Sequence, residues 1–422
     1  MNTQRGLLLV AVVSVVILLN VYREAFQFGN ASLLAEYLSS TDLVAAMNMP
    51  ETTSGLGSHN RDDSHHSRND EEAAYLTKVD SIRPYEPNPR PAKLDVVDGW
   101  NITSDPSWLL NFAIIAFPKC GTSTLMHYFD QNPEVQTFVE ERCELGGNQQ
   151  ARLIEDLYDK MPAGDYVRGI KCPRDLENTL ALNNYVKFFP NTNLLIGVRH
   201  PVKMMESFYN HRIHNGFKMP HTSKLGYCYR GAFNVCLERA QFHWALGALG
   251  KVDLSNETSE AVQLMNRRPR EVYPLKGRVF LYDVDQLSDS NETRSLEFRK
   301  SLQHFLHLRN PLPPLVWFKP GRQGKHLNTT KQDQIAAKKI NICDTEHDWF
   351  RGKVRAHAVN ASRWLRQYFM KSPDVVTSSP DYFESILASW EIDPCIVGNG
   401  TIPKATTATT NCTKFGCFMT GG

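Results

Sequence analysis

No C-x-x-C pair occurs among the nine cysteines of this 422-residue chain, which argues against a zinc ribbon or a thioredoxin-like redox motif. Charge of neither sign is in surplus: 47 Lys and Arg stand against 45 Asp and Glu, for a net charge of +2. Bulk electrostatics therefore gives no case for nucleic acid as a partner, and any basic surface must be local. No internal repeat is visible, so a solenoid or propeller is not indicated. Hydrophobic residues make up 41% of the chain, enough for a large core plus appendages.

One long apolar run stands near the start. Residues 6–22, GLLLVAVVSVVILLNVY, are interrupted only by Ser14 and Asn20. As a helix the run would be about 25 Å long, slightly short of a ~30 Å hydrocarbon core and suited to thinner early secretory membranes. No clean small-x-small cleavage site follows it, which favours a transmembrane signal anchor over a cleaved peptide. Residues 1–5 would then be a cytoplasmic tail. Glycosylation sequons begin at Asn30, Asn101, Asn256, Asn291, Asn328, Asn360, Asn399 and Asn411, eight in all and all after that run, where composition would give roughly three by chance. The excess indicates a lumenal chain in which disulfides form. Candidate pairs are Cys228 with Cys236, Cys412 with Cys417 and Cys343 with Cys395; the total of nine is odd, so the cysteines cannot all pair within the chain.

Residues 23–107 read as a largely disordered lumenal stem: Ser39 to Glu72 is polar, and Pro84, Pro87, Pro89 and Pro91 then stiffen the chain. His65 and His66 lie in that stem and read as solvated linker rather than metal ligands. The tail from Ile396 is rich in Thr and Gly. Between them, residues 108–395 alternate apolar runs with helical segments, the pattern of an α/β domain with a parallel sheet flanked by helices. Expected strands are 112–117, 135–138, 167–172, 193–198 and 278–285; expected helices include 180–189, 201–213, 330–340, 347–369 and 382–390.

The chain is organised around 111–130, NFAIIAFPKCGTSTLMHYFD. An apolar strand runs into a polar loop, Pro118, Lys119, Cys120, Gly121, Thr122, Ser123, Thr124, and then into a helix. Free N–H groups and the positive dipole end of that helix, with Lys119 and the hydroxyls of Ser123 and Thr124, suit a terminal phosphate-like group. The loop is not a Walker A loop, which needs Lys directly after the second of two glycines. In a second stretch, LLIGVRHPVKMMESFYNHR, a strand ends at Arg199, Pro201 opens a helix, and Ser207 follows Arg199 by eight residues. A guanidinium and a hydroxyl near a helix start also suit a phosphate.

Together PKxGTST and the Arg199/Ser207 spacing resemble the sulfotransferases that use 3′-phosphoadenosine 5′-phosphosulfate (PAPS). The resemblance covers about Phe112 to Leu287 and includes LYDVDQL, Leu281 to Leu287, a late strand and acidic turn read as structural. It implies a P-loop-like sheet in which Lys119 to Thr124 bind the 5′-phosphosulfate, Arg199 and Ser207 bind the 3′-phosphate, and Lys119 stabilises the leaving bisphosphate. No metal is implied, because cationic side chains supply the positive charge. Cytosolic members carry a His after the second strand, absent here. Heparan-sulfate-type members place a Glu there and a Lys in a K-[S/T]-P turn; the matching stretches are EERCE and Lys171-Cys172-Pro173, with Cys172 departing from the pattern. Glu141 is the expected general base, with Glu144 and Glu140 as rivals and Lys171 beside the sulfuryl group; His127 reads as packing. A late basic PAPS loop would correspond to Gly321, Arg322, Gly324 and Lys325.

These readings imply a single-pass type II Golgi enzyme with a single lumenal catalytic domain, sulfating a hydroxyl or amine of a glycan, with a tyrosylprotein acceptor as a weaker option. The alternatives are a nucleotide kinase of related fold and a non-catalytic glycan-binding protein.

Overall fold

Six apolar segments form one sheet in a computed structural model that describes residues 90–138, 140–226, 235–265, 269, 271–316, 329–396, 410–413 and 416–419. They are β1 (Phe112–Ile114), β2 (Val135–Thr137), β3 (Val167–Lys171), β4 (Asn193–Val198), β5 (Val279–Asp283) and β6 (Val375–Val376). Their order across the sheet is β2-β3-β1-β4-β5-β6, and every pairing is parallel. The helices are α1 (Thr122–Asp130), α2 (Gln150–Lys160), α3 (Thr179–Phe188), α4 (Pro201–His214), α5 (Glu292–Phe305), α6 (Asp348–Gln367) and α7 (Pro380–Ser389), together with shorter pieces. The expected α/β class, a parallel sheet flanked by helices, is the observed one.

Burial on both faces explains why the central strands read as unbroken apolar runs rather than alternating ones. Leu194 and Ile196 of β4 and Val279 and Leu281 of β5 face a core layer with Trp364 of α6 and Trp390. Their neighbours Leu195, Phe280 and Tyr282 face the opposite layer, with Phe129 of α1 and Phe298 and Phe305 of α5. Local chemistry sets the helix starts. Asn178 accepts from the N–H groups of Leu180 and Ala181 at the start of α3. Pro201 occupies the first turn of α4 while the His200 ring accepts from Val202 N–H at 3.2 Å.

β1 is shorter than the apolar run that encodes it, because Ile115, Ala116 and Phe117 stay buried but leave the ladder to approach the loop. Packing includes part of the stretch read as stem, before residue 108: Val96 and Val97, in a short helix and hairpin, are fully buried, and Arg90 and Lys93 bond Tyr158 and Asp159 of α2. Residues 6–22 lie outside the described residues, among which no helix is long and apolar enough to cross a membrane. Cys343 and Cys395 are joined, as expected. Cys236 is disulfide-bonded, while Cys228 lies outside the described residues. Cys412 and Cys417 face each other in register across a short antiparallel hairpin. An unexpected disulfide links Cys143 to Cys172, and Cys120 is a free, buried thiol.

Candidate active site

The strand order places the site. The connection leaving β1 runs toward β2, whereas β4 leads on to β5 on the other side, so a crevice opens beyond the carboxyl ends of β1 and β4. The loop after β1 and Arg199 after β4 both lie there. Within the loop, Lys119 and Gly121 have left-handed backbones, with φ of 64° and 79°. A left-handed lysine is uncommon and costs free energy, a feature that concentrates at functional loops. Gly121 is fixed by more than its φ: a Cβ there would lie 2.4 Å from Leu287 Cδ1. The acidic turn of the LYDVDQL stretch thus packs directly on the loop. That turn is held by a capping box, in which Asp283 accepts from Asp285 N–H at 2.8 Å and Gln286 accepts from Asp283 N–H at 2.9 Å.

Gly121 starts α1 with no side chain capping the helix, while its carbonyl accepts from Thr124 and Leu125 N–H at 3.0 and 3.2 Å. Helix N–H groups therefore remain free for an anion. Thr122 and Thr124 are buried beneath them, and Ser123 is half-buried. Lys119 stands at the exposed lip of the loop. Desolvation by its neighbours and then repulsion by Arg199 hold its pKa below the ordinary lysine value. Mutual repulsion of this kind means that the two cations share one region of space.

Arg199 is the more informative of the two. Its Nε is buried without a hydrogen-bond partner, and among the described residues its guanidinium has no ion pair. The buried carboxyl of Asp283 attracts it, but burial, followed by repulsion from Asp285, pushes that carboxyl up to about 8. At neutral pH Asp283 is therefore mostly protonated and does not neutralise Arg199. A half-buried guanidinium and a nearby ammonium, neither paired to a carboxylate among the described residues, make an arrangement that suits an anion.

The third component comes from β3. Lys171, at its end, lies 3.3 Å from Ser123 Oγ of the loop and 3.3 Å from Glu141 Oε1. Three links hold the 140–144 turn to this strand end: the Lys171–Glu141 pair, a hydrogen bond from Arg142 N–H to Lys171 O at 2.8 Å, and the Cys143–Cys172 disulfide. The cysteine that departs from the K-[S/T]-P pattern is thus one half of a covalent clamp. Among the rival carboxylates, Glu144 is engaged by Arg142, 2.7 Å away, which also bonds Asp156. Glu140 is exposed, and Glu141 is half-exposed at the open side of the crevice.

Ser207 sits half-buried on α4 and makes no hydrogen bond among the described residues. Arg322 and Lys325 lie outside the described residues. His127 is half-buried, its ring 3.2 Å from Gln131 Nε2. The sequence reading missed His211, one helical turn beyond Ser207 on the same face of α4. Its ring interacts electrostatically with both Lys119 and Glu141, and Asn215 Nδ2 lies 3.1 Å from its Nε2. Burial, then repulsion by Lys119, lowers its pKa to about 4, so it is a neutral imidazole at pH 7. The i, i+4 relation to Ser207 is the signal that could have found it.

No family model matches the chain, and no curated protein does. Among solved structures, a crystal structure of a sulfotransferase from Alicyclobacillus acidocaldarius is similar at 15% identity, covering 58% of this chain and 94% of that one, with a TM-score of 0.31. A likeness of that strength assigns neither a fold nor a reaction by itself.

Proposed function

We propose that this chain is a PAPS-dependent sulfotransferase that transfers a sulfuryl group to a hydroxyl or amine of a glycan in the Golgi lumen, held to the membrane by residues 6–22. The observation that carries this reading is the unpaired Arg199 beside Lys119 at the carboxyl ends of β4 and β1. Two anionic groups of one ligand, a 3′-phosphate and a 5′-phosphosulfate, would satisfy both cations. The residues fit the donor on the structure's own terms: an orphaned buried guanidinium N–H, free helix N–H groups, and a glycine-shaped loop. Bound PAPS supplies an activated sulfuryl group.

The chain's residues divide the remaining work. Arg199, with Ser207, holds the 3′-phosphate. The α1 N-terminus and Thr122 hold the terminal group, with Cys120, Ser123 and Thr124 completing the loop. Lys119 stabilises the charge that grows on the leaving oxygen, a role whose removal typically costs ~10²–10³ in rate. Lys171 places a second cation at the same end. Glu141 accepts the acceptor's proton, worth ~10²–10⁴, and its pairing with Lys171 and the clamp to Cys172 orient it. The glycan acceptor and the Golgi membrane follow from the sequon excess after an apolar segment.

The test is sulfuryl transfer from labelled PAPS to mixed glycosaminoglycan and N-glycan acceptors without Mg²⁺. Transfer by the native chain, lowered at least a hundredfold in both Lys119→Ala and Glu141→Gln, supports the reading. Activity confined to ATP and Mg²⁺ would replace it with a kinase, and glycan binding without turnover would replace it with a lectin-like role.

A further inference from the structure

Three side chains outside the crevice converge on one point. His221 precedes a short turn at Thr222–Lys224, and Glu346 and His347 lie in another at Thr345–His347. His221 Nε2 is 3.6 Å from Glu346 Oε2, and His347 Nε2 is 3.5 Å from Glu346 Oε1. The two imidazole rings are 5.7 Å apart, and the three potential ligand atoms all lie within 4.8 Å of one another. In a tetrahedral zinc site with Zn–N near 2.05 Å, ligand atoms sit ~3.3 Å apart. Each imidazole is thus near that spacing from one of the two Glu346 oxygens, and a small side-chain adjustment within the 4.8 Å cluster would complete the site.

The second, independent observation concerns His347. Its side chain is only 2% exposed, and its Nε2 is buried with no hydrogen-bond partner. Its other ring nitrogen, Nδ1, is taken by Thr222 Oγ1 at 2.8 Å. A buried imidazole that uses one nitrogen and aims the other, unpartnered, at a carboxylate and a second imidazole is built for a ligand. His221 differs: its Nδ1 accepts from Ser223 N–H at 3.3 Å at the start of the turn, with Ser223 Oγ 2.9 Å away, so binding a metal through Nε2 would exchange that backbone contact for an Nδ1–H to the hydroxyl. Metal-bound histidines characteristically have the non-ligating nitrogen fixed by an outer partner, here Thr222 Oγ1 for His347.

We propose that His221, Glu346 and His347 form a Zn²⁺ site, with the fourth position open to water. Two imidazoles and one carboxylate favour zinc over calcium or magnesium, which take oxygen ligands. The ion joins the connection that follows α4 to the segment leading into α6. That segment is already tied down by Cys343–Cys395, and by α4 itself: Asn210 exchanges two hydrogen bonds with the backbone of Ile340, both 2.8 Å, and Glu206 accepts from Ile342 N–H at 3.2 Å. Zinc would extend this anchoring to the loop at 215–225, independently of the sulfotransferase reading.

The test uses the full chain, without a histidine tag and carrying His65→Ala and His66→Ala to remove the one adjacent histidine pair in the sequence. Chelator-stripped protein is titrated with ZnCl₂ against a chromophoric competitor, and Co²⁺ is added separately to read the geometry from its visible absorption. We expect one zinc per chain, tetrahedral cobalt bands, and a melting temperature that rises with zinc. Affinity should fall tenfold or more in both His221→Ala and Glu346→Gln, whose side chains are 46% and 63% exposed and whose zinc-free melting should match the parent. Failure of the parent to bind zinc, or a loss below tenfold in either variant, overturns the proposal.

Discussion

Replacing Gly197 with alanine should damage the site from beneath. Gly197 lies in β4, and a Cβ there would sit 2.5 Å from the Cys120 carbonyl oxygen and 2.6 Å from the Tyr282 hydroxyl. Real contacts of this kind are essentially never under 3.0 Å, so the loop or the strand must move by at least 0.5 Å. Tyr282 is fully buried and has no room to swing away, and a backbone carbonyl cannot rotate aside. The displacement therefore falls largely on Cys120, whose immediate neighbours are Lys119 and Gly121. A misplacement approaching 1 Å can cost ~10² in rate, so Gly197→Ala should lower kcat for sulfuryl transfer about 10- to 100-fold. Overpacking of this kind costs about 1–3 kcal/mol, a fall in melting temperature of roughly 2–10 °C. Gly352→Ala is the control: it sits in α6 with nothing near its added Cβ, and should retain full activity and slightly raise stability. Wild-type kcat in Gly197→Ala would refute the claim that close contact with β4 positions the loop.

Two further outcomes follow from the same geometry. Cys143→Ser and Cys172→Ser each open a clamp between residues 29 apart in sequence, and should cost about 2–4 kcal/mol in chemical denaturation, with kcat falling more than stability loss explains because Glu141 is released. The pH dependence of folding should carry the mark of Asp283. Its carboxyl is pushed up to about 8 in the folded state against 3.8 ordinarily, so the native protein holds a proton that the unfolded chain releases. Stability from this group is complete below about pH 4 and is lost as pH rises toward 8. Thermal melts of Asp283→Asn should show a flatter decline between pH 5 and pH 8 than the native chain; an unchanged slope would show that Asp283 is not a buried acid.

Much of this site was legible because the chain writes it locally. The loop Lys119–Thr124 and the Arg199/Ser207 spacing each follow an apolar strand, and parallel strands buried on both faces announce themselves as unbroken apolar runs. α5 was not read because its buried residues are sparse: Phe298, Leu302 and Phe305 are the only buried positions in a charged stretch. α2 was missed although Ala151, Leu153, Ile154 and Leu157 mark an apolar helical face. β6 is two residues long and exists only through its pairing with β5. The Cys143–Cys172 clamp joins two motifs that were read separately, and nothing in the spacing of nine cysteines reports which strand ends meet. His211 lies four residues beyond Ser207, a spacing visible in the sequence; its approach to Lys119 is not, since α4 brings the two together only after β4 and β1 pair.

The central claim is that Arg199 and Lys119 hold the two anionic ends of one nucleotide. Calorimetric titration of the chain with adenosine 3′,5′-bisphosphate and with ADP, both without Mg²⁺, tests it most directly. A hydrogen bond to a buried charged group contributes about 1.5–3 kcal/mol. Strong preference for the bisphosphate, weakened about 10- to 100-fold in Arg199→Ala, is the predicted result. Equal affinity for the two nucleotides, or binding of ADP only when Mg²⁺ is present, would contradict it.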